Sequence, residues 1–204
     1  MLLLKKVLPF FSYLFHPLFI PLFGTLFFLY VNDNDFEPFT KYITLIQIVI
    51  ITILIPMTFL YFLKIIGKVD SIMVSDLSQR KIPMTVQLIL IAMLLAKSIS
   101  HEQVPELFYF FLAGMISTFV ALFFLFIKTK VSIHMIGMSS LTAFVIGLSI
   151  LNYSNWIGII TFLILMNGVV GTSRLQMNAH TGKELVMGFV IGLLPQLILW
   201  RLWL

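Results

Sequence analysis

The chain has 204 residues, of which 60% are hydrophobic and only 10% charged, with a net charge of +5 and no cysteine. Ordinary soluble domains carry about 25% charged residues, so a water-soluble globule of this length is excluded. The lack of cysteine excludes a disulfide framework, a thiolate nucleophile and a cysteine metal site.

A helix needs roughly 20 apolar residues to cross the hydrocarbon core. Seven stretches reach or approach that length: 8–31, 42–66, 84–99, 105–127, 135–151, 155–172 and 185–203. The first follows Lys5 and Lys6, and no small-residue cleavage site ends it, so it reads as a retained membrane helix rather than a signal peptide. Pro9, Pro17 and Pro21 interrupt it. If it enters the membrane only partway, the count is six spans; otherwise it is seven. The longest polar connection is 67–83, containing Asp70, Ser71, Ser75, Asp76, Ser78, Gln79 and Arg80. If it is helical, Asp76 and Arg80 share a face. The third and fifth stretches are short, which predicts that they extend into their flanks. Small residues Gly137, Ser139, Ser140, Ala143 and Gly147, with Gly168, Gly171, Gly188 and Gly192, predict close helix contacts.

The runs are continuous rather than alternating, so helices win over a closed barrel. The expected fold is all-α, a polytopic transmembrane helix bundle of six or seven spans forming one domain over 1–204. With seven spans, the side holding the N-terminus carries Lys5, Lys6, Lys64, Lys68, Arg80, Lys81, Lys128, Lys130, Arg174 and Lys183. The other side carries Lys41, Lys97 and Arg201, together with Asp33, Asp35, Glu37, Glu102 and Glu106. Ten basic residues against three place the first side in the cytoplasm by the positive-inside rule. Positive charge held in short loops suits anionic headgroups or an anionic substrate, and is no sign of nucleic-acid binding.

Two loops on that side hold groups able to do chemistry. One is Lys130-Val131-Ser132-Ile133-His134; the other runs from Ser173-Arg174 through His180 to Glu184. Ionisable residues at a membrane edge are site candidates. Arg174 offers a planar fork of donors that matches phosphate oxygens, and Lys130, Arg80 and Lys81 add positive charge. His180 and Glu184 are four apart and share a helix face, so the carboxylate can hold the imidazole in one tautomer as a nucleophile. His134 can act as general acid toward a lipid leaving group. The plainer alternative makes Arg174, Lys130 and Lys183 snorkelling anchors and His134 and His180 helix-start or interface residues. His16 and His101 read as structural or solvated. A metal held by His134, His180 and Glu184 is a minor alternative.

At these residues the chain resembles the type 2 phosphatidic acid phosphatase superfamily, whose motifs are K-x6-R-P, P-S-G-H and S-R-x5-H-x3-D. Ser173, Arg174 and His180 match the third at the family's spacing, with Glu184 in place of aspartate. Ser132 and His134 match the second, with Val131 and Ile133 in place of proline and glycine. Of the first, Arg80-Lys81-Ile82-Pro83 keeps a basic pair and a proline, and Met73 stands where the lysine would be. His16-Pro17-Leu18 and Ala179-His180-Thr181 are similar to a small bacterial membrane subgroup. The resemblance covers most of the chain from about 68 onward. It implies a lipid phosphate or lipid pyrophosphate phosphatase of a bacterial inner membrane, working without metal or other cofactor. His180 would be the nucleophile, Glu184 its partner and His134 the acid. Ser132, Ser173, Arg174, Arg80, Lys81 and Lys130 would bind phosphate. The partner would be a membrane lipid carrying phosphate; no oligomeric state follows. A relative that lost catalysis and binds a lipid headgroup is one alternative. A small transporter is another, against which stands the absence of mid-span charges and of broken helices repeated in two halves.

Overall fold

The computed structural model describes the backbone of residues 2–33, 36–70, 74 and 76–204, and side chains from Val7 onward. Asp35, Ser71, Met73 and Ser75 and the side chains of Lys5 and Lys6 lie outside the described residues. The chain is an all-α membrane protein. Among the described residues, six helical spans are long and apolar enough to cross a bilayer: Pro38–Ile65, Leu77–Lys97, Pro105–Phe126, Ile133–Leu151, Ile157–Gln176 and Gly182–Leu202. A bent pair, Val7–Leu14 with Pro17–Val31, makes a seventh if it acts as one span.

The first stretch is α1 (Leu2–Leu14), a short 3-10 turn (Pro17–Phe19) and α2 (Ile20–Val31). The break falls at His16-Pro17. Proline cannot donate to a preceding carbonyl and pushes the residue before it toward extended backbone; His16 has φ −63° and ψ 140° accordingly. The second stretch is α3 (Pro38–Val49), five π-helical residues (Ile50–Leu54) and α4 (Ile55–Ile65). Pro56 follows the wide turn, which accommodates the hydrogen bond that proline cannot make.

The third stretch begins earlier than its hydropathy predicts. Helix α5 runs Leu77–Lys97 and takes in Arg80, Lys81 and Pro83. Asp76 starts it by accepting a hydrogen bond from Ser78 N at 3.0 Å. With that carboxylate capping the helix, Arg80 turns instead to the carbonyl of Val74, donating from Nε at 2.8 Å. Helices α6 (Pro105–Phe126), α7 (Ile133–Leu151), α8 (Ile157–Gln176) and α9 (Gly182–Leu199) follow, and a 3-10 turn, Trp200–Leu202, extends the last.

Helix α7 is central: 72% of its spanning window is buried, against 22% to 39% for the other five. It is surrounded by α2, α6, α8 and α9. Its contact with α9 is the closest in the bundle. A side chain at Gly188 or Gly192 would strike the backbone oxygens of Ser132 and Ile136, at 2.5 and 2.2 Å. Gly137 receives Ile20, and Gly147 receives Trp203 and Trp200. Gly168 differs from the sequence expectation, since nothing lies within 4 Å of where its Cβ would be.

Helix α2 runs beside α7 from Ile20, over Gly137, to Phe27 and Tyr30, which meet the Trp156 ring edge-on at 5.6 Å. Residues 16–30 therefore travel from the start of α7 to the loop that follows it. All three tryptophans gather at that far end, where amphipathic rings anchor a membrane protein at the lipid–water boundary. Lys41 and Asp33 pair there as well.

Candidate functional site

At the other end of the bundle the start of α5, the start of α7, the end of α8 and the start of α9 converge. Ser132 N donates to the Glu184 carbonyl at 3.2 Å, which ties the first turns of α7 and α9 together. Thr181 caps α9 with a reciprocal pair: its hydroxyl accepts from Glu184 N, and the Glu184 carboxylate accepts from Thr181 N. This capping box fixes the Glu184 side chain as well as the helix start.

The same Glu184 oxygen accepts from His180 Nδ1 at 2.8 Å. A carboxylate accepts only, so the proton sits on Nδ1 and Nε2 carries the lone pair. His180 is buried. Burial lowers its pKa from 6.5 to about 4; the bond to Glu184 opposes this, while the charges of Arg80, Arg174 and Lys130 add to it. At neutral pH the ring is an uncharged base aimed by a carboxylate. Burial and the neighbouring charge of Arg80 also lower the Lys130 pKa.

Arg80 and Arg174 are 7% and 6% exposed, low enough to require partners for their guanidinium groups. Arg80 is held by Val74, whose φ of 39° puts a β-branched residue in the left-handed region. Such strain clusters where a fold fixes a functional group. Among the described residues Arg174 reaches only the sulfur of Met177, at 3.7 Å, and its Nε is buried with no partner. An anion would complete it. The cations Arg80, Lys130 and Arg174 outnumber Glu184 and Asp76, the carboxylates that act on Lys130 with them. The N-termini of α7 and α9 add partial positive charge at this end.

His134 is buried, and its Nε2 donates to the Ser12 carbonyl at 3.0 Å. The proton is therefore on Nε2, and Nδ1 has no hydrogen-bond partner among the described residues. The His16 ring stands edge-on to His134, with centroids 5.4 Å apart. Its Nδ1 accepts from Leu18 N at 3.4 Å, so its Nε2 carries the proton. Ser173 bonds the Ser12 hydroxyl at 2.7 Å, and Ser132 Oγ is buried with no partner among the described residues.

Arg80, Lys130, Ser132, His134, Ser173, Arg174, His180 and Glu184 thus come to one end of the bundle. Lys81 does not join them; it is exposed, with its ammonium 4.9 Å from the centre of the Phe126 ring. Among the described residues no three His, Asp or Glu side chains are grouped to hold a metal ion. Two site residues escape a reading by sequence alone. His16 and Ser12 lie in the first apolar stretch, and only the packing of that bent stretch against α7 and α8 brings them against His134 and Ser173. The break itself was legible in Pro17, and its consequence was not.

His16, Arg80, His134, Arg174 and His180 line one end of a cavity of about 210 Å³. Its walls continue between the helices, lined by Phe59 and Leu60 of α4, Met84 and Ile91 of α5, and Phe110 and Phe111 of α6. Gly114 faces open space there. From Arg80 to Ile91 the helix rises ~16 Å, at 1.5 Å per residue. One end of the cavity is basic and the body is apolar. The chain matches no family model, no curated protein and no solved structure.

Proposed function

We propose that this membrane bundle is a phosphatase of lipid phosphates or lipid pyrophosphates, working through a histidine nucleophile in a bacterial inner membrane. The observation that carries the reading is the amphipathic cavity: cations and imidazoles at one end, and an apolar channel leading away between the helices. The resemblance of Ser173-Arg174, His180 and Glu184 to the third motif of the type 2 phosphatidic acid phosphatases supports it.

In this reading the lipid phosphate binds to Arg80 and Arg174, with Lys130 beside them, and the chain lies in the channel. His180 Nε2 attacks phosphorus, a P–N bond forms and the P–O bond to the lipid breaks. Glu184 holds the ring and balances the charge that the ring acquires. The leaving oxygen takes a proton. To supply it, His134 must carry a second proton on Nδ1, and the bound phosphate favours that charged state. Water then attacks phosphorus, the P–N bond breaks, inorganic phosphate leaves and His180 is restored. Positioning and charge stabilisation carry most of such a reaction.

The test is release of inorganic phosphate from a panel of lipid phosphates by purified protein in mixed micelles. Metal-independent release is expected from at least one of them. Absence of release from all, with binding retained, would replace the phosphatase with a headgroup-binding protein.

A further inference from the structure

Three polar side chains interrupt the apolar body of the cavity: Gln87 of α5, Thr118 of α6 and Ser140 of α7. Thr118 places its proton on the Gly114 carbonyl, at 2.8 Å. Gln87 lies seven residues beyond Arg80 and Ser140 six beyond His134. At about 1.5 Å per residue both sit ~10 Å from the basic end. Among the described residues the Gln87 amide has no hydrogen-bond partner. Ser140 Oγ accepts from Gln196 Nε2 at 2.7 Å, and no group among the described residues takes its proton. Gln196 is fully buried and donates to the Phe110 carbonyl as well, so the serine oxygen is held in place from behind. An amide and a hydroxyl left open inside a membrane bundle are costly unless something in the cavity satisfies them.

We infer that Gln87 and Ser140 form a second binding tier that takes a carbonyl oxygen on the lipid chain. The ligand class is an acyl lipid phosphate with an ester or amide carbonyl six or seven bonds from phosphorus. An extended chain covers about 1.2 Å per bond, so six or seven bonds reach ~8 Å, and a hydrogen bond of about 3 Å spans the rest of the depth of the tier. A plain alkyl or isoprenoid chain offers no acceptor there and leaves both groups open. The inference rests on reading the basic end as a lipid phosphate site.

The test compares a 1-acyl glycerol 3-phosphate, a linear alkyl phosphate of matched length and farnesyl phosphate. Wild type, Gln87→Leu and Ser140→Ala are each assayed for phosphate release and for the rise in Tm on binding. Wild type is expected to favour the acyl compound by at least about tenfold in kcat/KM. Each variant should bring the acyl-to-alkyl ratio toward one; Gln87→Leu should leave Tm in the absence of lipid unchanged, while Ser140→Ala, which takes an acceptor from the buried Gln196 amide, should lower it. Equal use of the three lipids by wild type, or a ratio that neither variant moves, overturns the tier and leaves the phosphatase reading standing. If none is hydrolysed, the tier is judged by Tm alone: a larger rise with the acyl compound, lost in Gln87→Leu, supports it, and equal rises refute it.

Discussion

His180 is held by one ring nitrogen and left open at the other, and that division decides what its neighbours can do. Glu184→Gln keeps an oxygen for the Nδ1 proton and keeps the capping box, because glutamine serves that motif as well. It removes only the charge. We expect turnover about 10- to 100-fold lower with Tm within a degree or two, measured by phosphate release and by thermal unfolding in detergent. A variant that unfolds instead would show Glu184 to be mainly structural. The His180 ring should also titrate near pH 4 in the free protein, as burial and the surrounding cations favour its neutral form. Neutral imidazole is the nucleophilic form, so on this account it is present from pH 7 down to about 5. Ring resonances of specifically labelled histidine test this; a midpoint near 6.5 would contradict it. Arg174, His180 and Glu184 were legible from spacing because one loop and one helix turn carry them all. His16 was not. An isolated histidine beside a proline in an apolar run gives no sign of its partner, and His134 reaches it only through tertiary contact.

Among the elements, the contact of α7 with α9 sets the site. A Cβ at Gly192 would lie 2.2 Å from the Ile136 carbonyl oxygen and 2.3 Å from Ser139 Oγ. Gly192→Ala therefore forces the helices apart, at a cost of about 1–3 kcal/mol. It also strains the bond from Ser132 to Glu184. We expect a lower Tm and lost activity, while Gly168→Ala, which meets nothing, leaves both unchanged. Equal effects of the two would show that this contact does not position the site. In sequence the two glycines look alike. Small residues announce close contact, but the face they occupy depends on how each helix is rotated in the bundle. The shortness of the third stretch announced that α5 extends into its flank, but not how far. Arg80 and Lys81 lower the local hydropathy, although Asp76 caps the helix ahead of them. The six longer spans were otherwise legible, because unbroken apolar length is itself the physical requirement for crossing lipid.

For the molecule as a whole, the site and the tryptophan-bearing end lie at opposite ends of the bundle. With the bent first stretch counted as a seventh span, the basic residues still favour the site end when the phosphate candidates are left out: Lys5, Lys6, Lys64, Lys68 and Lys128 remain against Lys41, Lys97 and Arg201. That bias predicts a site facing the cytoplasm. The chain has no cysteine, so single cysteines report cleanly. Tyr153→Cys, at a fully exposed far-end position, should react in intact cells with an impermeant thiol reagent, and Lys183→Cys should not. The reverse pattern would put the site on the outer face and leave its chemistry intact. The shape of the cavity was not legible in the sequence, since α2, α4, α5, α6 and α7 all contribute walls and no local pattern encodes their arrangement. The central claim is that one imidazole takes the phosphoryl group, and trapping tests it most directly. Protein mixed with a phosphate-labelled lipid substrate and quenched in alkali within milliseconds should carry an acid-labile phosphohistidine. Peptide mass spectrometry should place it on His180, and His180→Ala should carry none and show no turnover. Turnover undiminished in His180→Ala, or label on another residue, would contradict the account.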